Sequence, residues 1–579
     1  MPHPATRTHL KLLPVLLLFV ATLILYSGSL QYPLVFDDVA LQESNMPMFG
    51  RMWQNLSMRW VTFVTFSWTH ALAGMDLFWH RLGNVALHAL TVIALFALLR
   101  RLYGVVLQTA DSAVCVDTGA ASLSTDQLAF FGALIFALHP ISVYGVAYLV
   151  ERSIVMATLF SLLSLLAWLE GRLGGKRRWL FASAALYFLA VFSKEHCVML
   201  PGVAMALTLL LRKPSWSLVR ELWLPFSLLA AIAALVILKT RGFLGAAYEP
   251  FATEAVAHLA NVDAVGLYAL SVITECTFFF KYLFLWIVPN PAWMAVDLRE
   301  HIATDILSWP ETAGAVAFAL YFLFAVWLLF KGGRRGLAGF LLLFPWLFYL
   351  TEVSTVRIQE PFVLYRSYLW MGGLAALVPL LLPPLKTKWK FAAPVLICLC
   401  LPPLTMNRLD SFSSEWKLWN DVVAKNPDKT RFFAERGYNK RGIASIRTGN
   451  YRDAIADFTT SLEIHDKDPL IYLNRGMARM QSGYFPDALA DFAKGLELNP
   501  GEAGFHVNRG IIFASTQRYA EAVSEFDRAL ELRSGDAAAH FNRGQALRLM
   551  GRYDEGTASI RKSCDLGHIP ACRALDASR

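Results

Sequence analysis

Charged residues are scarce in this chain: Asp, Glu, Lys and Arg make up 17% of its 579 residues, whereas hydrophobic residues make up 56%. Soluble domains carry about 25% charged residues, so this composition favours a polytopic membrane protein over a soluble enzyme. Cysteine is also scarce, and the seven cysteines show no metal-type cluster. The sequence contains no glycine-rich nucleotide-binding loop. The net charge of +9 does not indicate a nucleic-acid partner, because the Lys/Arg excess falls in loops between hydrophobic runs.

Hydrophobic runs of membrane-spanning length fill the first 406 residues. They cover 10–30, 79–100, 127–149, 153–170, 178–193, 197–212, 221–240, 312–330, 337–354, 362–383 and 391–406. The first run is longer than a signal-peptide core and has no convincing cleavage site before Asp37, so we expect an uncleaved anchor. A twelfth apolar run, 264–288, contains Glu275 and Lys281 and ends at a Pro-Asn-Pro sequence.

The basic clusters between these runs predict the orientation in the membrane. If the N-terminus with Arg7 and Lys11 is cytoplasmic, all the clusters lie inside only when 264–288 is re-entrant or interfacial. These clusters are Arg100-Arg101, 176–178, Arg212-Lys213, 331–335 and 386–390. We therefore predict eleven transmembrane helices, with the C-terminal part on the periplasmic or luminal side. The host membrane would be a bacterial inner membrane, or the endoplasmic reticulum membrane in a eukaryote.

Two adjacent carboxylates, Asp37 and Asp38, follow the first hydrophobic run. Carboxylates at the end of a spanning helix are costly unless they are solvated, paired or used. In an extended or turn conformation their side chains diverge, so each can serve a different partner. One of them could instead cap the next helix. The predicted orientation places the pair on the same external face as 151–152, 194–196 and 357–368.

A 34-residue period runs through the C-terminal part of the chain. It relates Gly442, Gly476, Gly510 and Gly544, and also Phe458, Phe492 and Phe526. Small and aromatic residues at this period predict tetratricopeptide repeats, each a helix hairpin that packs on the next. We predict an all-α chain with a membrane domain at 1–406, a linking helix at 407–433 and about four repeats forming an α-solenoid at 434–579.

Asn-Arg pairs recur at one position of the predicted repeats: Asn474-Arg475, Asn508-Arg509 and Asn542-Arg543. These side chains could hydrogen-bond between repeats, or they could form a ladder of donors that binds an extended peptide. The residues alone favour neither interpretation.

Two cysteines, Cys564 and Cys572, flank a turn-like segment with Gly and Pro. They could form a disulfide in an oxidising compartment. The alternative, which we slightly favour, is two small buried residues in a helix pair.

Five separate stretches stand out in order along the chain: Phe36-Asp37-Asp38 with Asn45 and Pro47, the segment 59–90 with His80, Asn84 and His88, His139-Pro140 with Arg152, Lys194-Glu195, and Arg366 with Tyr368. Together they resemble the transmembrane and tetratricopeptide-repeat-containing O-mannosyltransferases and their bacterial relatives, in the GT-C glycosyltransferase superfamily. Tyr365 stands where that family tends to have Glu, His196-Cys197 replaces Gln-Gly, and the family's acidic residue soon after Arg152 is absent.

The resemblance implies a GT-C fold and transfer of a sugar from a polyprenyl-phosphate donor to Ser or Thr hydroxyls of an exported protein. Asp37 is then the expected base, and Asp38 orients the acceptor or, with Asp37, ligates a divalent metal such as Mg²⁺ or Mn²⁺. No cofactor is required by the sequence itself. Arg152, Lys194 and Arg366 would bind the donor phosphate, with Glu195 and Tyr368 supporting them from behind. The Asn-Arg pairs would bind a protein or peptide acceptor.

The residue types suit this chemistry. A hydroxyl needs a positioned base, and a lipid phosphate leaving group needs cations to neutralise it. Each Arg or Lys could equally snorkel at the membrane interface. Two other functions remain open: a transferase that acts on a lipid or glycan acceptor, and a non-catalytic membrane scaffold with a repeat platform.

Overall fold

The computed structural model describes residues 12–111, 120–121, 123–244, 264–357, 360–382, 385–386 and 389–577. The chain divides into two compact units, Met1–Lys425 and Asn426–Arg579. The prediction of an all-α fold is confirmed. In the part of the chain that the structure describes, strand pairing is limited to Ala120–Ala121 antiparallel to Leu385–Lys386 and one isolated bridge. Arg7, Lys11 and Lys388, which entered the orientation argument, lie outside the described residues.

The first unit consists of helices joined by short 3₁₀ turns. The turns that matter for the site cover Phe36–Ala40, Leu149–Glu151, Glu195–Met199 and Leu364–Tyr368. The helices are α1 Leu12–Tyr26, α2 Met46–Arg51, α3 Trp60–Ala73, α4 Leu77–Asp111, α5 Thr125–Leu138, α6 Val143–Val146, α7 Arg152–Gly174, α8 Arg177–Ser193, α9 Leu200–Leu211, α10 Trp216–Thr240, α11 Ala264–Ile287, α12 Glu311–Lys331, α13 Gly333–Val353, α14 Gly372–Leu381, α15 Ala392–Ser411 and α16 Glu415–Lys425.

Eight helical segments of the described residues are long and apolar enough to cross a membrane, and a ninth arises if the pair α5–α6, bent by 53°, forms one span. This is fewer than the eleven predicted. Three predicted crossings are too short, because α8 has 17 residues, α9 has 12 and α14 has 10. The run 264–288, predicted to be re-entrant or interfacial, is one unbroken helix that contains a span-length segment, Gly266–Ile287.

Many large apolar side chains of the first unit point outward, including Leu16, Ile24, Leu323 and Trp327. Apolar surface on this scale suits lipid better than water. Inside the unit, small residues bring helices close together. A Cβ at Gly171 of α7, for example, would lie 2.7 Å from Leu180 of α8. Together with the candidate spans, these features indicate a membrane protein.

The second unit is a series of helix hairpins whose first helices begin at Glu435, Pro469, Ala503 and Ala537, each 34 residues apart. The recurring glycines and phenylalanines explain this repeat, because a Cβ at Gly476 would lie only 2.4 Å from the ring of Phe492. The helices are α17 Glu435–Arg447, α18 Tyr451–Ile464, α19 Pro469–Gln481, α20 Phe485–Leu498, α21 Ala503–Ser515, α22 Tyr519–Leu532, α23 Ala537–Leu549, α24 Tyr553–Asp565 and α25 Ile569–Asp576.

Two details of this region differ from the sequence-based predictions. Residues 407–425, predicted as part of a linking helix, belong to the first unit: α15 runs to Ser411, and α16 packs there through Trp419. Cys564 and Cys572 form a disulfide between α24 and α25, so the slightly favoured interpretation of two unpaired small residues is wrong.

Candidate active site

The two acids lie in the 3₁₀ turn Phe36–Ala40, which orients them in opposite directions. Phe36 has a left-handed backbone conformation (φ 55°), and its ring packs 5.4 Å from the rings of both Tyr148 and Trp419. A non-glycine residue in this conformation is uncommon and is held by its surroundings. The buried ring fixes the turn so that Asp37 is exposed and Asp38 is completely buried.

Asp38 is anchored inside the unit. One carboxylate oxygen accepts a hydrogen bond from the backbone N–H of Val150 at 2.8 Å, and the other lies 3.8 Å from Arg81. Arg81 also donates hydrogen bonds to the carbonyls of Tyr32 and Ala147. Burial raises the pKa of Asp38 to about 7, although Arg81 opposes this shift. These contacts join the turn to the segment before α7.

Asp37 faces outward and accepts a hydrogen bond from the phenol of Tyr148, with 2.8 Å between Tyr148 Oη and Asp37 Oδ2. Burial raises the pKa of Tyr148 well above its usual range, so the phenol stays protonated and serves as a donor. An exposed carboxylate oriented by a neutral donor retains lone pairs that can accept a proton from a hydroxyl.

Tyr365 connects this carboxylate to a group of cations. Its ring centroid lies 6.0 Å from that of Tyr148, 4.7 Å from Nζ of Lys194 and 5.9 Å from Cζ of Arg366. Lys194 is buried and forms an ion pair with Glu151, and burial lowers its pKa although Glu151 opposes the shift. Two predicted site residues, Lys194 and Arg366, therefore contact this ring, and Asp37 is linked to it through Tyr148.

A second set of charges surrounds Glu352, a carboxylate that the sequence-based reasoning missed. Nε2 of His196 lies 3.0 Å from Glu352 Oε1, while Arg366 and Arg357 lie 3.3 and 3.7 Å from Oε2. The signal in the sequence was a lone Glu at the end of the apolar run 337–354. Burial lowers the pKa of His196 and so favours its neutral form, which leaves the two arginines as the cations beside this buried carboxylate.

Glu195 is bound to Arg59, which was also missed. Nε of Arg59 donates to Glu195 Oε2 at 3.0 Å. Burial disfavours ionisation of Glu195, but the Arg59 guanidinium outweighs it and holds the pKa well below the usual range. The Arg59 side chain remains 40% exposed. Because it opens the segment 59–90 that carries the family resemblance, its position was a usable signal.

A cavity of about 310 Å³ opens beside these charges. Its apolar wall comes from α10 and its neighbours, including Val236, Ile237 and Phe243, and its charged wall includes Arg59 and Arg357. The remaining lining residues are Met58, Glu195, His196, Val198, Thr240, Leu244, Thr351, Ser354 and Thr355. A cavity with one apolar and one cationic wall matches an amphiphile that has an anionic head.

Arg152 and Tyr368 lie in the interior, away from this cavity. The guanidinium of Arg152 donates to Asn84 Oδ1 at 2.7 Å and to the carbonyl of His80 at 2.7 Å, and it stacks 3.8 Å from the ring centroid of Phe66. Tyr368 is fully buried, and its hydroxyl lies 2.6 Å from Nδ1 of His88. We assign both residues to packing rather than to donor contact.

The described residues contain no group of three or more His, Cys, Asp or Glu side chains that could hold a metal ion. Asp37 and Asp38 also point apart, with Asp38 committed to Val150 and Arg81. The pair therefore does not fit a two-carboxylate site for Mg²⁺ or Mn²⁺, and we derive no step through a metal.

In the repeats, the arginines of the Asn-Arg pairs are bound to carboxylates. Arg475 pairs with Asp491 at 2.7 Å and Arg509 with Glu525 at 3.0 Å, in each case with the acid 16 residues later. Arg543 pairs with Asp527. Arg475 and Arg509 therefore join the two helices of their own repeats, whereas Arg543, and Arg475 through Thr459, also bond to the preceding repeat.

The asparagines differ from the arginines. All three are half-buried, and Asn508 donates to the carbonyl of Gly504 in its own helix. The amides of Asn474 and Asn542 make no hydrogen bond within the described part of the chain. They are the members of the predicted ladder that remain able to bind a peptide backbone.

The comparisons with known proteins support this architecture. A tetratricopeptide repeat model matches residues 439–503, 473–537 and 507–566, which confirms the predicted repeats. Repeats of this fold bind proteins or peptides. The chain is 28% identical over 223 residues to protein O-mannosyl-transferase Tmtc3 of Drosophila melanogaster, covering 33% of this chain and 24% of that protein. The resemblance to this family is thereby confirmed, although the chain matches only about a quarter of the relative's length.

The chain is also partly similar to solved structures. MamA is 17% identical and aligns over 29% of this chain and 95% of its own, with a TM-score of 0.25. YrrB, described as a tetratricopeptide repeat protein with an unusual peptide-binding site, is 19% identical and aligns over 33% of this chain and 94% of its own, also with a TM-score of 0.25.

Proposed function

We propose that this protein is a GT-C glycosyltransferase that transfers a sugar, with mannose the first candidate, from a polyprenyl-phosphate donor to Ser or Thr hydroxyls of an exported protein. The observation that carries the proposal is the arrangement around Tyr365. Tyr148, which orients an exposed carboxylate, contacts this ring, and so do the cations Lys194 and Arg366. The similarity to an O-mannosyl-transferase supports the reaction class.

In the proposed reaction, the acceptor hydroxyl oxygen bonds to the anomeric carbon as its proton passes to Asp37. The bond between that carbon and the phosphate oxygen breaks, and the electron pair leaves with polyprenyl phosphate. A phosphate monoester is a weak base, so its departure needs cations rather than an acid. Burying these groups strengthens their electrostatic effect on the leaving group.

The donor lipid would occupy the cavity beside α10. Its isoprenoid chain would lie along Val236, Ile237 and Phe243, and its phosphate would reach Arg59 and Arg357. Arg contacts phosphate through two parallel hydrogen bonds, which also fixes the orientation of the phosphate. Compared with the sequence-based assignment, Arg59 and Arg357 replace the interior Arg152.

We place the site and the repeats on the periplasmic or luminal side of the membrane, with the N-terminus in the cytoplasm. The Cys564–Cys572 disulfide supports this, because disulfides persist in oxidising compartments. There the repeats would select the protein acceptor. The asparagines Asn474 and Asn542 would bind its backbone.

The test uses the full chain in liposomes with polyprenyl-phosphate-mannose labelled in the sugar and an extract of exported proteins. Label should enter protein and be released by alkaline β-elimination, as expected for an O-linked sugar. Asp37→Asn should abolish most transfer, whereas Glu43→Gln, the same change at an exposed acid on the next turn, should not. Label in a lipid fraction alone would instead favour the lipid-acceptor transferase. No transfer from mannose, glucose or galactose donors would reject a glycosyltransferase function.

A further inference from the structure

Tyr365 is the one residue of the turn Leu364–Tyr368 whose side chain is not fully buried. Its neighbours in this turn are buried, so the turn has a single partly exposed aromatic ring. Nothing in the proposed transfer assigns this ring a role. The chain also departs here from the family that it resembles, which tends to have Glu at this position.

The ring contacts groups from both ends of the proposed reaction. Tyr148, which donates to Asp37 with 2.8 Å between the two oxygens, lies edge-on to the ring. Nζ of Lys194 and Cζ of Arg366 lie 4.7 and 5.9 Å from its centroid. In a transfer reaction the sugar is bonded to the phosphate while the base contacts the incoming hydroxyl. A sugar bound between this base and these cations would therefore lie near Tyr365.

An aromatic ring and a carboxylate recognise sugars in different ways. A carboxylate accepts hydrogen bonds from sugar hydroxyls, whereas a tyrosine packs its ring on the sugar's C–H face and can donate one hydrogen bond. We propose that Tyr365 contacts the donor sugar directly and determines which sugar the enzyme accepts. This inference rests on the proposed function and assigns the sugar-binding position of the same site.

The experiment compares wild type with Tyr365→Phe, Tyr365→Ala and Tyr365→Glu. The donors are polyprenyl-phosphate-mannose, -glucose and -galactose, and sugar-free polyprenyl phosphate serves as the binding reference. We expect Tyr365→Ala and Tyr365→Glu to change the ratio of kcat/KM between sugars by at least about tenfold, because losing a specific sugar contact alters discrimination. The affinity for sugar-free polyprenyl phosphate should stay within about twofold of wild type.

Tyr365→Phe separates the two contributions of the side chain. Selectivity that survives in this variant comes from the ring, and selectivity that is lost comes from the hydroxyl; both results support a sugar contact. The matched control is Trp293→Ala, which removes a half-exposed aromatic residue from another 3₁₀ turn. It should leave the sugar ratios unchanged.

An equal loss of kcat/KM for all three sugars would overturn the inference, because the ring would then act only on the shape of the site. Weaker binding of sugar-free polyprenyl phosphate to Tyr365→Ala would overturn it too. If wild type transfers no sugar, the binding measurement tests the inference by itself. In that case the proposed function fails, while a preference for sugar-linked over sugar-free lipid that disappears in Tyr365→Ala would still establish the contact. Equal binding of both lipids by wild type would reject it.

Discussion

Tyr148 donates a hydrogen bond to Asp37 across 111 residues of sequence, with 2.8 Å between the two oxygens. The acid lies in the turn that follows the first hydrophobic helix, and the phenol lies just before α7. One side chain therefore orients the proposed base while its own pKa keeps it protonated. A catalytic base needs such a partner, because proton transfer is efficient only when the carboxylate is oriented towards the hydroxyl that it deprotonates.

The first prediction tests this pair. Asp37→Asn should lower kcat for transfer by about two to four orders of magnitude, which is the usual contribution of general-base catalysis. Tyr148→Phe should lower it by about one order, because the base remains but is no longer oriented. The double variant should be no slower than Asp37→Asn alone, since the phenol acts through the carboxylate. Additive losses in this double-mutant cycle would mean that Tyr148 acts independently of Asp37.

The second prediction concerns the pH dependence of stability at Asp38. Folding raises the pKa of this carboxyl from 3.8 to about 7, so its stabilising contribution is complete below about pH 4 and is lost as the pH rises through 7. Asp38→Asn mimics the neutral form. The thermal midpoint of the variant should therefore rise relative to wild type between pH 4 and pH 8, measured by scanning fluorimetry in detergent. Parallel pH profiles for the two proteins would contradict the assignment.

The third prediction separates a packing arginine from a cation of the site. Arg152→Ala leaves buried acceptors of its hydrogen bonds unpaired, and each unpaired buried group costs about 1–3 kcal/mol. It should lower the thermal midpoint markedly. Lys194→Ala combined with Glu151→Gln, which leaves no buried carboxylate unpaired, should instead weaken the proposed donor contacts, seen as poorer binding of polyprenyl phosphate by a stably folded protein. If Arg152→Ala is as stable as wild type but binds the lipid poorly, then the original assignment of Arg152 to the phosphate is correct.

A fourth prediction concerns the compartment of the repeats. In cells, Cys564 and Cys572 should resist alkylation until a reductant is added, as expected for a disulfide outside the cytoplasm. Replacing both by Ser should destabilise the repeat unit by about 2–3 kcal/mol, the chain-entropy value for so short a loop. A topology reporter fused after Thr405 should lie outside the cytoplasm. Free thiols in untreated cells, or an active cytoplasmic reporter after Thr405, would reverse the proposed orientation.

The sequence predicted the larger architecture because the signals were local or periodic. Hydrophobic runs and a 34-residue period identify the membrane unit and the repeats without any tertiary contact. The adjacent acids Asp37 and Asp38 were also visible, and even their divergence was expected. Their separate environments were not, because Arg81 and Tyr148 come from distant segments of the chain.

Arg152 shows the same difficulty more sharply. Its position beside Glu151 at the predicted membrane surface suggested an external charge, but Asn84, His80 and Phe66 enclose it in the interior. Partners on other helices determine where a long side chain ends, and no local pattern encodes them. In the repeats, by contrast, a further signal could have been used. Acids recur 16 residues after Arg475 and Arg509, at the positions that later proved to bind them.

The last prediction concerns how the repeats bind the acceptor. Asn474→Ala and Asn542→Ala combined should raise KM for the natural protein acceptor by about tenfold, because each change removes a potential hydrogen bond to peptide backbone. The value of kcat should change little, since the repeats take no part in the chemistry. Transfer to a short Ser/Thr peptide that cannot span the repeats should be unaffected. Arg475→Ala should instead lower the stability of the repeats, measured by amide hydrogen exchange, because it leaves Asp491 with one fewer cation. A variant of Arg475 that raises KM without any loss of protection would show that the arginines bind the acceptor as well.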